Sequence, residues 1–211
     1  MPKLRKLQAR LAWVLIAVGV VGLVAGGILL TKAPKPPANV AVAAAPSSAR
    51  PAQKEIDTYT VAPDVPKYLS LPSIKVQKAR VRGLGLKDGQ IASPANIYDT
   101  GWYTASARPG QAGAMFIFGH VSSWTANGVF HDLKKLKPGD QIAVTRGDDK
   151  VFIYQVVSSK VYSADDVDMN EVLSPVNAAK PGLNLMTCSG SVIKGTNNFS
   201  ERLVVFTSLA S

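Results

Sequence analysis

Leu183-Asn184-Leu185-Met186-Thr187-Cys188 is a short apolar run closed by a cysteine, and it reads as a buried strand whose last residue reaches a rim. Runs of the same kind recur on both sides of it. Tyr68–Leu71 with Ile74–Val76, Ala79–Leu84, Ala114–Gly119, Gln141–Thr145, Lys150–Ser158 and Leu203–Phe206 are separated by Gly, Pro, Asn and Asp. Gly147-Asp148-Asp149 is a tight turn that makes a hairpin of the two strands beside it. Two stretches suggest short helices. One is Phe130–Leu136, stopped by Pro138-Gly139; the other is Asp165–Leu173, with Asp165 or Asp166 as its cap. Many short strands with few helices predict a mainly β domain over residues 67–211, a closed barrel or a sandwich, long enough for one proper core.

The N-terminal third has a different composition. Residues 11–31 are predicted as a transmembrane anchor, because Leu11 to Leu30 carries no charge and is dense in Val, Leu, Ile, Ala and Gly. Twenty helical residues span about 30 Å, the thickness of the hydrocarbon core. Lys3, Arg5, Lys6 and Arg10 precede the span and only Lys32 and Lys35 follow closely, so residues 1–10 are expected in the cytoplasm. The remainder is then expected outside the cell, as part of a single-pass cell-membrane protein. A cleaved signal peptide ending near Ala43-Ala44-Ala45 is the alternative; the span exceeds the usual 7–15-residue apolar region of a signal. Both readings export the rest of the chain. Residues 32–66 hold seven prolines among Ala, Ser and Lys and read as a semi-extended tether.

The formal net charge of +10 divides unevenly. Up to Lys67 there are nine Lys/Arg against three Asp/Glu, and from Tyr68 onward fifteen against eleven. The excess thus lies in the anchor and tether, where it suits an anionic membrane or wall polymer. Basic residues are not clustered with aromatics and the domain faces outward, so a nucleic-acid partner is not expected.

Cys188 is the only cysteine of the chain. It can form no internal disulfide, and an unpaired thiol in an oxidising compartment is a liability unless its reactivity is used. A thiol attacks as thiolate and needs a base or a positive charge nearby. Of the two histidines, His120 ends the apolar run Ala114–Gly119, where a side chain can project over a rim and Gly119 permits close backbone approach. His131 lies beside Asp132 in an amphipathic turn and reads as a surface or half-buried histidine. Acyl transfer also needs positive charge where an oxyanion develops. Arg202 opens the last apolar strand, fourteen residues after Cys188; Arg146 and Arg108 rival it by charge alone, and an ion pair with Glu201 is its structural alternative.

Taken together these residues resemble the sortase family. Leu185-Met186-Thr187-Cys188 looks like the family's Thr-Leu-x-Thr-Cys strand, Gly119-His120 like its catalytic histidine, and Glu201-Arg202-Leu203-Val204-Val205 like its arginine strand. Gly128-Val129-Phe130, Leu133, Leu136 and Lys137-Pro138-Gly139-Asp140 match the usual filler between histidine and cysteine, and the resemblance covers roughly Tyr68 to Ser208 in order and spacing. It implies a closed eight-stranded β-barrel with short helices, membrane-bound outside Gram-positive-type cells. It also implies a cysteine transpeptidase with catalytic residues Cys188, His120 and Arg202. Cys188 would cleave the Thr-Gly-type bond of an LPxTG-like C-terminal sorting signal on a secreted protein, leaving a thioester. An amine of a peptidoglycan precursor would resolve it. Arg202 would hold the substrate and stabilise the oxyanion. Thr187 would add a hydrogen bond to substrate or oxyanion, or serve simply as a β-branched strand residue.

Some features depart from the family's pattern. Asn184 stands where the signature usually begins with Thr. Gly101-Trp102-Tyr103 and Ser106-Ala107-Arg108-Pro109-Gly110 look more like the class E or F branches than class A. The tether has no Asp-Pro-aromatic lid and the chain ends soon after Phe206, which favours protein anchoring over pilus assembly. No cofactor is expected. Asp165, Asp166, Asp168 and Glu171 suggest calcium by charge, as in some relatives, but lack EF-hand spacing and read more simply as a capped, solvated helix. Two other functions stay open: a cysteine hydrolase on the same site, and a non-catalytic, wall-associated barrel.

Overall fold

The computed structural model describes residues 45–210. The anchor expected over residues 11–31 and the first part of the tether lie outside them. Among the described residues no helix is long and apolar enough to cross a membrane.

Ten strands follow in chain order: β1 (Pro66–Leu71), β2 (Val76–Leu84), β3 (Leu86–Lys87), β4 (Gln90–Ile91), β5 (Thr100–Tyr103), β6 (Ala114–Gly119), β7 (Gln141–Arg146), β8 (Val151–Ser163), β9 (Gly182–Val192) and β10 (Phe199–Leu209). Eight of them close a barrel in the order β1-β2-β5-β6-β9-β10-β8-β7, while β3 and β4 form a separate two-stranded ribbon. The mainly β, closed eight-stranded architecture expected from the sequence is therefore present. Two pairs, β2–β5 and β6–β9, are parallel and the remaining barrel pairs are antiparallel.

Strand alternation sorts the apolar side chains into two cores. Leu69, Val81, Trp102, Met115, Ile117, Val144, Tyr154, Leu185 and Val205, one or two from every barrel strand, fill the interior. The intervening residues of β6, β9 and β10 point outward: Phe116, Phe118, Met186, Val204 and Phe206 form a second core with Tyr103, Tyr162, Ile91, Met169 and Val172. Burying a side chain of this size is worth about 1.5–3 kcal/mol. The loop between β8 and β9 therefore folds down over this outer face and brings its helical turn, Met169–Val172, with it.

Several local expectations are corrected. The cap of that turn is Asp168, which accepts from the backbone N–H groups of Asn170 and Glu171 at 3.0 and 3.3 Å, so the helix begins later than Asp165 or Asp166 would start it. Leu133–Lys135 is a single 3-10 turn, and Ile74 closes another over Pro72–Ile74 rather than extending a strand. β8 and β10 run well past the predicted ends, because ladder bonds carry them through exposed polar residues such as Ser159, Lys160 and Ser163. The hairpin turn at Gly147–Asp149 is present, closed by Arg146 N–H to the Lys150 carbonyl at 2.8 Å.

The described part of the expected tether lies against the barrel. Gln53–Asp57 is a helical turn in which Glu55 accepts from the Ala52 N–H at 2.8 Å. Tyr59 donates its hydroxyl to the Val81 carbonyl at 2.6 Å, and Tyr68 donates to the carbonyl of Ile56. Ile56 and Tyr59 are the anchoring residues that an average over the Pro/Ala-rich stretch hides.

Candidate active site

The register of three adjacent strands brings the predicted site residues together. β6 runs parallel to β9 with Phe118 opposite Met186, so two residues further on His120 comes level with Cys188. β10 runs antiparallel to β9 with Arg202 opposite Cys188. Neighbouring strands lie about 4.8 Å apart, so the three positions form one row with the thiol in the middle. Alternation also puts them on one face. Cys188 shares the parity of Met186, His120 that of Phe118, and Arg202 that of Val204, all of which point into the outer core. One groove is lined by Cys188, His120 and Arg202 together with Met186, Phe199, Val192 and Trp124.

His120 is held from both ends. Its carbonyl accepts from the Phe130 N–H at 3.0 Å, and Gly128 packs so closely that a Cβ there would sit 2.3 Å from the His120 carbonyl oxygen. Its Nε2 lies 2.8 Å from the Pro94 carbonyl. A carbonyl only accepts, so Nε2 carries a proton and Nδ1 is the open nitrogen of the neutral ring. Burial lowers the imidazole pKa below its ordinary value, and the bond to Pro94 partly offsets this. Burial raises the pKa of the Cys188 thiol, opposed by the positive charge of Arg202. Both net shifts favour a neutral thiol beside a neutral imidazole.

Arg202 is buried and makes no ion pair among the described residues. Its Nη1 donates to the carbonyls of Phe199 and Glu201 at 3.0 and 2.8 Å, which fixes the side chain and leaves Nε and Nη2 as further donors. The two rival arginines are occupied elsewhere: Arg146 by Asp148 at 2.6 Å and Arg108 by Asp64. His131 is not in the groove.

A Sortase domain model matches residues 69–210, about two thirds of the chain. The chain belongs to the sortase family. Solved structures agree at the level of fold. A sortase D5 transpeptidase from Clostridium perfringens is 23% identical, with a TM-score of 0.51 over 75% of this chain and 86% of that one. A sortase from Actinomyces oris is 22% identical, with a TM-score of 0.52 over 70% and 80%. Sortase C of Streptococcus pneumoniae is 20% identical, with a TM-score of 0.55 over 82% and 81%. No curated protein matches the chain significantly. Sortases are cysteine transpeptidases, and this chain is one.

The sortase's geometry changes the reading of Thr187. Alternation sends its side chain to the face opposite Cys188, and its hydroxyl donates to the Gly119 carbonyl at 2.8 Å. A hydroxyl has one proton, so this arrangement ties β9 to the end of β6 beside His120 and leaves the side chain no donor for an oxyanion. Asn184 is fully buried and donates from Nδ2 to the carbonyls of Val172 and Ser174, each at 2.8 Å, pinning the loop that covers the outer core. The acidic residues of that loop are partly engaged: Asp168 caps the turn, and Glu171 accepts from Lys160 and Tyr162, each at 2.6 Å. Among the described residues no three metal-binding side chains are grouped to hold an ion. Pro94 escaped the sequence reading because a backbone carbonyl leaves no residue-type signal.

Proposed function

We propose that this sortase cleaves an LPxTG-like C-terminal sorting signal of secreted proteins and transfers them to an amine of a peptidoglycan precursor. The row of Cys188, His120 and Arg202 on one outer face, in one groove, carries the reading. Cys188 passes its proton to His120 and attacks the carbonyl carbon of the Thr-Gly-type bond. Arg202 offers Nε and Nη2 to the oxyanion. The C–N bond breaks as His120 returns the proton to the leaving amine, and the substrate remains as a thioester. The incoming amine gives a proton to His120 as it attacks the thioester, and the expelled Cys188 sulfur takes that proton back. The neutral resting pair suits this sequence, because His120 relays a proton from Cys188 to the leaving amine in the first half and from the incoming amine back to the sulfur in the second.

The uncharged stretch Leu11 to Leu30 and its basic N-terminal flank support a membrane-anchored enzyme with its catalytic domain outside the cell. The carrying test is incubation of the full chain with a sorting-signal peptide and an amine. Transfer product is expected to dominate over free acid, with Cys188→Ala abolishing both. Free acid as the main product would make the protein a hydrolase on the same residues. Full cleavage by Cys188→Ala would end the nucleophile assignment, and a folded-state thiol inert to alkylation would favour a non-catalytic barrel.

A further inference from the structure

The short segment ahead of the barrel makes an ordered set of contacts to one loop. Ser47 bridges Asn96 in parallel: its N–H donates to the Ala95 carbonyl at 2.8 Å and its carbonyl accepts from the Ile97 N–H at 3.0 Å. Asn96 Nδ2 donates to the Ala49 carbonyl at 2.8 Å, while Asn96 Oδ1 accepts from the Tyr98 N–H at 2.9 Å. The Arg50 guanidinium lies 4.2 Å from the centre of the Tyr98 ring. Thr125, next to the groove-lining Trp124, donates to the Ser48 hydroxyl at 3.0 Å.

Apart from the Thr125–Ser48 bond, these contacts converge on residues 94–98. That loop supplies the Pro94 carbonyl to His120 Nε2 and the Ile97 carbonyl to the Val129 N–H at 2.8 Å, next to the Phe130 N–H that holds the His120 carbonyl. An imidazole fixed by a loop carbonyl is only as well placed as the loop. Residues 94–98 are outside the barrel strands, so the contacts from Ser47, Ala49 and Arg50 restrict a segment the ladders do not reach.

We propose that Ser47–Arg50 is a positioning clamp for His120: it holds loop 94–98 so that the Pro94 carbonyl keeps the imidazole in one tautomer, with Nδ1 open to the thiol. The inference rests on the reading of His120 as the proton carrier. It assigns an active-site task to chain preceding the barrel, and it makes Ser47, Arg50 and Asn96 positioning residues.

The test uses the full chain carrying Ser47→Pro, which removes the donor to Ala95, Asn96→Ser, which keeps a short acceptor for Tyr98 but cannot reach Ala49, or Arg50→Ala. Arg50 is exposed, so its loss leaves the barrel intact. Ring nitrogen NMR on histidine-labelled protein reads the His120 tautomer, with His131 as internal control, and peptide-transfer kinetics read kcat and KM. Ser47→Pro and Asn96→Ser are expected to give a mixed His120 tautomer and a kcat lower by about tenfold or more, with a smaller change in KM. Arg50→Ala is expected to move both readouts the same way, by less. A His120 spectrum unchanged from wild type in the Ser47 and Asn96 variants overturns the clamp, whatever the rate does. A mixed tautomer with undiminished kcat upholds the clamp and overturns His120 as proton carrier, so the two failures are distinguishable.

Discussion

Arg202 stands directly opposite Cys188 in the β9–β10 ladder, and its guanidinium is fixed by two carbonyls rather than by a carboxylate. Its charge is therefore not cancelled by an ion pair, and it is felt at the thiol, where it opposes the effect of burial. Arg202→Ala should slow peptide cleavage by about two orders of magnitude or more, through loss of oxyanion stabilisation. Arg202→Lys should recover only part of the rate, because an ammonium cannot reproduce the planar set of donors.

The thiol itself reports the same balance. Burial holds its pKa above the ordinary value of 9.0, so at neutral pH it is protonated and poorly nucleophilic. Alkylation of the folded protein by iodoacetamide should be slow at pH 7 and should still be rising past pH 9.0. Removing the Arg202 charge takes away what favours the thiolate, so in Arg202→Ala the alkylation profile should move to higher pH. A shift to lower pH would contradict the assignment.

His120 and His131 should separate cleanly. His120→Ala is expected to lower the transfer rate by about 10²–10⁴-fold, the range for loss of a general acid–base. His131→Ala lies away from the groove and should leave the rate near wild type. Reversal of that order, read by steady-state transfer assays, would move the proton carrier to His131.

Asn184→Ala removes two buried hydrogen bonds that hold the loop over the outer core and leaves the carbonyls of Val172 and Ser174 unpaired. A destabilisation of about 2–4 kcal/mol is expected from the two unmade bonds. It should be visible as a lower denaturant midpoint and as faster proteolysis between residues 164 and 181. Asn184→Thr should not avoid the loss, because a hydroxyl cannot bridge both carbonyls as the amide does.

Thr187→Val keeps the shape of the side chain and deletes its bond to Gly119. A loss of about 1–2 kcal/mol is expected from the unsatisfied carbonyl. The accompanying rate loss should be milder than that of Arg202→Ala, since the bond braces the strand end beside His120 and no oxyanion donor disappears. Equal losses in the two variants would restore Thr187 to a direct role.

Much of this was legible in the chain. β6 was readable to the residue because both its faces are buried and every position is apolar or small. The site was readable because its three side chains are of types that chemistry demands and stand at strand ends. What escaped had physical reasons. β5 is four residues long and includes Thr100 and Gly101, too little for a periodic signal, and it is fixed by parallel pairing with β2. The end of β8 beyond Ser158 is mostly exposed and carries Ser159, Lys160 and Ser163, so only the ladder with β10 declares it a strand. The orientation of Thr187 follows from alternation once the face of Cys188 is known, and that face is set by which side the loop covers.

The reacting residues stand on the outer surface of the cylinder, and Met115, Ile117, Leu185 and Val205 fill its inside without touching that surface. Thermal hardening and substrate choice are thus governed by different side chains of the same strands, at odd and even positions. An engineer can redesign the filling for heat tolerance while leaving the bond-breaking surface as it is.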